Sequence, residues 1–492
     1  MNYSIIFKML SLVLGVMAVA FSICAGVSVI YSQVPIEAEA MPAWICVIAF
    51  ALLLSFAFYL PSRNAPKKLF KKEAMCVVGL GWILASLVGA LPYILILNCP
   101  FSDAFFEASS GLTTTGSSVF GDFDLIPPSL MFWRCMSHWI GGAGVVVFFV
   151  AVLSFLGSGA KIIFSNEASA NAGGGLETER IQSWALRILM IYGAISIICL
   201  TVFRLCGMGW FDGICHMFST VSTGGFSVYE DSMAHYDSLL IDWAVVLFMT
   251  IGGISFMTLI FFVRGKFDKL RRDEELWTYL AILATVGTAI TLMRMEDFAS
   301  LGAWWHTFSS SVFQTVALMT TTGFYTEDYQ LWKPGTQVLL MMVVIIGGCG
   351  GSTSGGLKVW RAIAAFKICR RDVERSFRPH VVRNLRLSGR NVSDESSTDI
   401  ITYIVLFAMV ILASFVVLAI LQPELSFAGC VSAVLSSFSN AGPGLNEVAP
   451  VDNYGFMSDA GKIFLSIVMI MGRLEIFAII VLFMPSLWKK FQ

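Results

Sequence analysis

Ten apolar stretches, near residues 5–31, 42–61, 74–97, 130–157, 182–206, 239–263, 276–293, 335–366, 399–421 and 460–487, fill most of the chain. Each is long enough to cross about 30 Å of hydrocarbon as a helix. Composition agrees: 57% of the 492 residues are hydrophobic and 13% charged, where a soluble chain carries about 25% charged residues. With a mean hydropathy of +0.77, the chain reads as a polytopic membrane protein. The first stretch is too long for a signal-peptide core of about 15 residues and runs on into a second, so it is read as a retained helix.

Four shorter segments, near 102–112, 211–221, 304–319 and 426–438, are too short to cross and too apolar for exposed loops. They suit re-entrant half-helices. Lysine and arginine place the ends, because cytoplasmic loops retain positive charge. Arg63, Lys67, Lys68, Lys71 and Lys72, then Arg264, Lys266, Lys269, Arg271 and Arg272, the basic stretch 367–390, and Lys489 and Lys490 fall on one side if the spans alternate. Glu37, Glu39, Asp122, Asp124, Glu230, Asp231, Asp237, Glu327, Asp328, Glu447 and Asp452 fall on the other. The N-terminus is therefore expected inside, with every short segment dipping in from outside.

Each short segment ends in a strip of hydroxyl residues and glycine. Aligned on one glycine, FFEASSGLTTTGSSVF (Gly116), HMFSTVSTGGFSVY (Gly224), VFQTVALMTTTGFYT (Gly323) and VLSSFSNAGPGL (Gly442) recur at intervals of 108, 99 and 119 residues. Solenoid repeats run about 20 to 50 residues, so intervals near one hundred fit membrane modules around an axis instead. One such strip alone is better read as a turn or a close helix contact; four in register reverse that reading. Irregular backbone at membrane depth is tolerated where it is buried in protein or lines a watery cavity. Four such loops are expected to share a pore, where backbone carbonyls and threonine hydroxyls supply oxygens to a dehydrated cation without a trapping charge. Glycine supplies the backbone angles that turn carbonyls inward, and each half-helix aims its partially negative end at the ion.

The expected fold is all-α: four tandem helix, pore-helix, filter-loop, helix repeats in pseudo-fourfold arrangement around one pore, after two N-terminal transmembrane helices. The divisions are 1–62 for the leading pair, then 63–165, 166–265, 266–380 and 381–492 for the repeats.

Nearly the whole chain resembles the Trk/Ktr/HKT superfamily of potassium transporters. The residues that carry this are SGLTTTG (110–116), STGGFS (222–227), TTTGF (320–324), SNAGPGL (439–445), GGCGGSTSGGLKV (347–359) and GRLEIF (472–477). The leading pair of spans is similar to the TrkH branch of bacterial Trk systems. The resemblance implies potassium uptake across a bacterial plasma (inner) membrane, a homodimer, and gating by a cytosolic nucleotide-binding ring of the TrkA type. It places potassium at Thr114, Thr115 and Gly116; Ser222, Thr223 and Gly224; Thr321, Thr322 and Gly323; and Asn440, Ala441 and Gly442. The fourth strip keeps its carbonyls but loses the threonine hydroxyl.

The glycine run inside the span 335–366 breaks a helix. With Gly347, Gly348, Gly350, Gly351, Ser352 and Thr353 in the loop 347–356, it is read as an intramembrane gate, which the resemblance also implies. Arg473 and Glu475 lie inside the last span, where ionisable groups tend to be functional; the resemblance implies that Arg473 is an electrostatic barrier at the gate, and Glu475 is read as paired with another helix. Lys358 is open between pore and interface, His138 is read as packed, and GGAG (141–144) and GGIS (252–255) as packing sites.

A net charge of −1 and the lack of a basic run interleaved with aromatics exclude a nucleic-acid partner. The scattered cysteines and histidines support no metal site, and no nucleophile–base motif supports an enzyme. No nucleotide fingerprint is present, so no cofactor beyond the potassium substrate is expected. A sodium- or proton-coupled secondary transporter of potassium or another small cation is the alternative function.

Overall fold

The computed structural model describes residues 1–65, 71–155, 181–295, 300–378, 385–388, 390–392 and 394–488. Lys67, Lys68, Lys489, Lys490, parts of the basic stretch 367–390 and the expected divisions at 165 and 381 lie outside the described residues.

Two leading helices, Tyr3–Ile30 and Ala40–Tyr59, form a hairpin. Each repeat then supplies an outer helix, a pore helix and an inner helix. The outer helices are Lys71–Gly89 with Leu91–Leu97, Ile181–Leu205, Glu274–Arg294 and Asp394–Leu421. The pore helices are Phe101–Leu112, Trp210–Val221, Leu301–Met319 and Phe427–Ser439, within a few residues of the expected half-helices. Among the described residues the strands form a single two-stranded ribbon, Leu385–Leu387 paired with Arg390–Val392, in the basic stretch.

The repeats close into a ring because each inner helix packs on the pore helix of the next repeat, and the last inner helix packs on the first pore helix. Close approach within a repeat needs glycine: a Cβ at Gly141 would overlap the Leu112 carbonyl, and one at Gly472 the Phe438 carbonyl. Both glycines press an inner helix onto the end of its own pore helix.

The second and fourth inner helices depart from the expected continuous spans, while the first is continuous and the third is interrupted as expected. The first runs unbroken over Pro128–Phe155. The second turns by 102° between Leu239–Gly252 and Phe256–Val263, and the fourth by 116° between Asp459–Arg473 and Phe477–Phe483. The third stops at Ile346 and resumes as the cationic helix Val359–Phe377. Six described helices are long and apolar enough to cross a membrane, or eight if each bent pair is one span. Glycines end the second and third inner helices, whereas Glu475 (φ 55°) and Ile476 (φ 59°) turn the fourth. No apolar count along the sequence registers such bends, since both arms remain apolar.

Candidate functional site

Each pore helix ends the same way. Thr114, Thr223, Thr321 and Asn440 adopt left-handed backbone angles, with φ of 55°, 55°, 55° and 56°. The next amide folds back onto the helix: Thr115 N donates to Ser110 O (2.9 Å), Gly224 N to Ser219 O (2.8 Å), Thr322 N to Ala317 O (2.8 Å) and Ala441 N to Ser436 O (2.9 Å). This closure satisfies carbonyls that the helix end leaves orphaned. Asparagine tolerates the left-handed region well, whereas a β-branched threonine there is an outlier. Strain of this kind, on the order of 1–3 kcal/mol per residue, persists where the surroundings over-determine it, and it clusters at functional sites.

Two residues beyond each corner stands a glycine with φ between 81° and 91°: Gly116, Gly225, Gly323 and Gly442. These interlock around a centre. A Cβ on Gly116 would overlap Gly224 O, one on Gly225 would overlap Thr322 O, one on Gly323 would overlap Ala441 O, and one on Gly442 would lie 2.8 Å from Thr115 O. The backbone of four strips thus forms a closed ring in chain order, without a formal charge in it.

The expected second strip is displaced by one residue. The matching positions are Thr223, Gly224 and Gly225; Ser222 caps its pore helix as Thr113 and Thr320 cap theirs. STGG offers two glycines for alignment, and the reason for both is structural. Gly225 takes the positive φ, while Gly224 faces the His138 ring, which a Cβ at Gly224 would overlap. His138 is fully buried, with Nδ1 2.8 Å from Gly111 O and its ring centroid 4.1 Å from that of Phe226. It is packed, as expected, and it packs against the second strip itself.

The hydroxyls are more committed to the protein than a ligand role requires. Thr115 Oγ1 lies 2.7 Å from Thr113 Oγ1 and accepts from Asn440 Nδ2 at 2.9 Å. Thr322 Oγ1 lies 2.8 Å from Thr320 Oγ1. Thr321 Oγ1 accepts from Gly355 N at 2.7 Å, and Thr223 Oγ1 is 3.2 Å from Thr353 Oγ1. Asn440 Nδ2 also donates to Met469 O (2.9 Å). The side chains at these positions tie strips to one another and to the loop beneath, which leaves the carbonyls as the common feature of all four quadrants.

That loop is the interrupted third inner helix, and the residues singled out in it, Gly347, Gly348, Gly350, Gly351, Ser352 and Thr353, lie together under the second and third strips. Cys349 N donates to Gly253 O (2.9 Å), and Thr353 Oγ1 to Gly252 O (3.1 Å) and Val221 O (3.3 Å). The break in the second inner helix therefore finds its acceptors' partners in the loop. Gly347 and Gly351 have φ of 72° and 69°. Arg473, 6% exposed, donates to Thr353 O (2.6 Å) and Gly141 O (3.4 Å), joining the loop to the first and fourth inner helices. Lys358 Nζ bonds Ser354 O. Glu475 pairs with Arg361 (2.7 Å), tying the last bend to the helix Val359–Phe377.

Other charged groups were not read from the sequence. Glu275 accepts from Gly350 N (2.6 Å) and Trp360 N (3.2 Å), anchoring both ends of the loop. Glu107 and Arg134 form a buried pair at 2.6 Å. Removing one partner of such a pair costs about 3–5 kcal/mol, because the other is left uncompensated. The same rule that drew attention to Arg473, an ionisable residue inside an apolar run, applies to Glu107 in FFEASSG and Arg134 in FWRCM.

At the acidic end the ring opens into a mouth lined by Gly116, Gly225, Gly323, Gly442, Glu230 and Asp452, with Arg134 in its wall. Partial burial, reinforced by the carboxylates of Asp328 and Glu447, pushes the Asp452 carboxyl above its ordinary value. No group of three or more potential His, Cys, Asp or Glu metal ligands occurs among the described residues.

The sequence profile of the TrkH family, described as a cation transport protein, matches residues 43–490. The Trk system potassium uptake protein TrkH of Halomonas elongata is 31% identical over 492 residues, covering 98% of this chain and 99% of that one. The protein of the same name from Salmonella typhimurium is 32% identical over 451 residues, covering 89% and 91%. The crystal structure of the potassium transporter TrkH from Vibrio parahaemolyticus superposes with a TM-score of 0.88 at 28% identity, covering 99% of this chain and 100% of that one.

The contact between His138 and Gly224 yields a paired test. Gly224→Ser alone is expected to abolish cation flux at normal membrane abundance. Adding His138→Ala is expected to restore it at least about tenfold, a coupling of roughly 1–2 kcal/mol between touching residues. Flux in the double variant no higher than in Gly224→Ser would show that His138 does not set the space behind this strip.

Proposed function

The chain belongs to the TrkH family of cation transport proteins, and from that premise we propose that it takes up potassium across a bacterial inner membrane through the ring of strip carbonyls. The observation that carries this reading is the closed ring in which each strip's glycine abuts a carbonyl of the next. Uncharged carbonyls replace a cation's hydration shell while leaving it free to move on. The pore helices add their partially negative C-terminal ends around the same centre. In this reading the acidic mouth faces outward and the basic segments and N-terminus face the cytoplasm.

The loop 347–356 with Arg473 is the gate: it lies under two strips and carries a positive charge across the path. It runs directly into the cationic helix Val359–Phe377, a place for a cytosolic TrkA-type ring to pull. The chain acts as a homodimer. A ring of uncharged carbonyls that binds a cation without trapping it argues for conduction along the potassium gradient. Purified protein in liposomes with opposed potassium, sodium and proton gradients tests both parts. Uptake following potassium alone is expected; uptake against it, driven by another ion, would establish the coupled alternative.

Excising residues 348–354 joins Gly347 to Gly355, which are already neighbours: a Cβ on Gly347 would overlap Gly355 O, and the flanking Leu357 N donates to Ile345 O (2.9 Å). The shortened protein and Arg473→Ala are each expected to raise potassium flux severalfold in the absence of the partner ring. Unchanged flux in both would remove the gate from this loop.

Asp452, with its raised pKa, keeps its charge above that pKa and loses it, as external pH falls, before an ordinary carboxylate does. Uptake at subsaturating potassium is therefore expected to weaken in mildly acid medium. Asp452→Asn should raise KM about twofold at neutral pH, the size of one screened charge at a mouth, and blunt the acid effect. An acid response identical to the wild type would exclude Asp452 as its source.

A further inference from the structure

Nine residues before the ring glycines of the first three repeats stand Glu107, His216 and Gln314. In each case the side chain reaches back to the strand that leaves its own strip. Glu107 accepts from Ser118 Oγ (3.0 Å) and Val119 N (3.1 Å), His216 Nε2 lies 3.1 Å from Ser227 Oγ, and Gln314 Nε2 donates to Phe324 O (3.1 Å). The fourth repeat has Ala433 there, and its strip is held by other groups: Gly442 O accepts from Ser117 Oγ (2.8 Å) and Tyr454 Oη (3.1 Å), Gly444 O from Tyr329 Oη (3.0 Å), and Ser432 Oγ accepts from Leu445 N (2.9 Å).

Among these braces the first is charged and crosses to a second strip. Arg134 Nε donates to Glu107 (2.6 Å), while its NH1 donates to Ser227 O (2.8 Å) on the strand that leaves strip two. Its guanidinium lies 3.7 Å from the centroid of the Phe226 ring, next to Gly225. Arg134 is 2% exposed and Glu107 fully buried, yet Arg134 contributes to the mouth wall above the ring. A guanidinium fork serves two acceptors in fixed geometry, which an ammonium does not. Lone positive charge at that mouth would repel an entering cation, so the carboxylate beside it has an electrostatic task as well as a mechanical one.

We propose that Glu107 and Arg134 form a charge-neutral clamp that fixes the first two strips relative to each other, making them positioning residues for discrimination among monovalent cations. This rests on the potassium-filter reading above. The two tasks separate by substitution. Glu107→Gln leaves Arg134 uncompensated and is expected to raise the KM for potassium about tenfold. The double variant Glu107→Gln with Arg134→Gln restores neutrality and is expected to recover KM to within about twofold of the wild type, yet to retain weakened discrimination between potassium and sodium. Arg134→Lys keeps the charge but loses the second acceptor, so its KM should stay normal while discrimination falls about fivefold or more.

Potassium and sodium flux are measured in liposomes, with the amount of reconstituted protein normalised. A variant that merely folds less well loses maximal flux without changing KM or the ion ratio. Wild-type ion ratios in Arg134→Lys, or a KM in the double variant still as high as in Glu107→Gln, would overturn the clamp. If Glu107→Gln fails to reach the membrane, Arg134→Lys decides by its ion ratio. Absence of potassium flux in the wild type would instead strike the filter reading itself.

Discussion

Three threonines and an asparagine hold left-handed backbone angles at the ends of four pore helices, and the rest of the structure follows from keeping them there. A β-branched residue leaves that region unless its neighbours forbid the alternatives. Here the returning amide bond to the pore helix forbids part of it. The inner-helix glycines Gly141 and Gly472, which allow the helix behind to press on the pore-helix end, forbid more. Once the corner is fixed, the chain leaves it with a glycine set against a carbonyl of the adjacent strip, and four repeats in chain order close the ring. The divergent fourth quadrant obeys the same constraint by another route. Asn440 adopts the corner with less strain, and its amide ties it to Thr115 and Met469.

Fourfold likeness is strictest in the backbone and weakest in what supports it. Threonine pairs stand behind strips one and three, an imidazole behind strip two, and an asparagine amide behind strip four. Braces to the departing segments are a carboxylate, an imidazole and an amide, with the serine and tyrosine hydroxyls of Ser432 and Tyr329 for the fourth. A repeated backbone with unrepeated supports is the arrangement expected when one chain, rather than four identical ones, encircles a path. Each quadrant is then free to meet the same geometric demand with whatever its neighbours leave room for.

That division also explains what was legible in the sequence. Pore-helix limits, the recurrence of the strips and the interruption at Gly347 are local: each is written in consecutive residues, through apolar length or glycine density. The register of STGG was not, because choosing between Gly224 and Gly225 depends on His138, which lies 86 residues earlier. Glu107 was visible as an acid in an apolar segment, but its meaning depends on Arg134 and Ser227, distant in sequence. The bend of the second inner helix was marked only by the glycines of GGIS, read as packing sites, and that of the fourth, at Glu475 and Ile476, lies between two apolar arms.

The loop beneath the ring inherits its position from these same breaks. Carbonyls released where the second inner helix turns, at Gly252 and Gly253, accept from Thr353 and Cys349, and the corner hydroxyl of Thr321 accepts from Gly355. Arg473 then fastens Thr353 to Gly141, in the first inner helix, and Glu275 fastens Gly350 to the start of the cationic helix at Trp360. That helix is joined to the loop through Glu275 and to the last bend through Arg361, and the loop cannot leave without releasing helix-end carbonyls that need donors. The loop is thus held by backbone groups of the second inner helix and by the corner of the third strip, so displacing it costs those hydrogen bonds together.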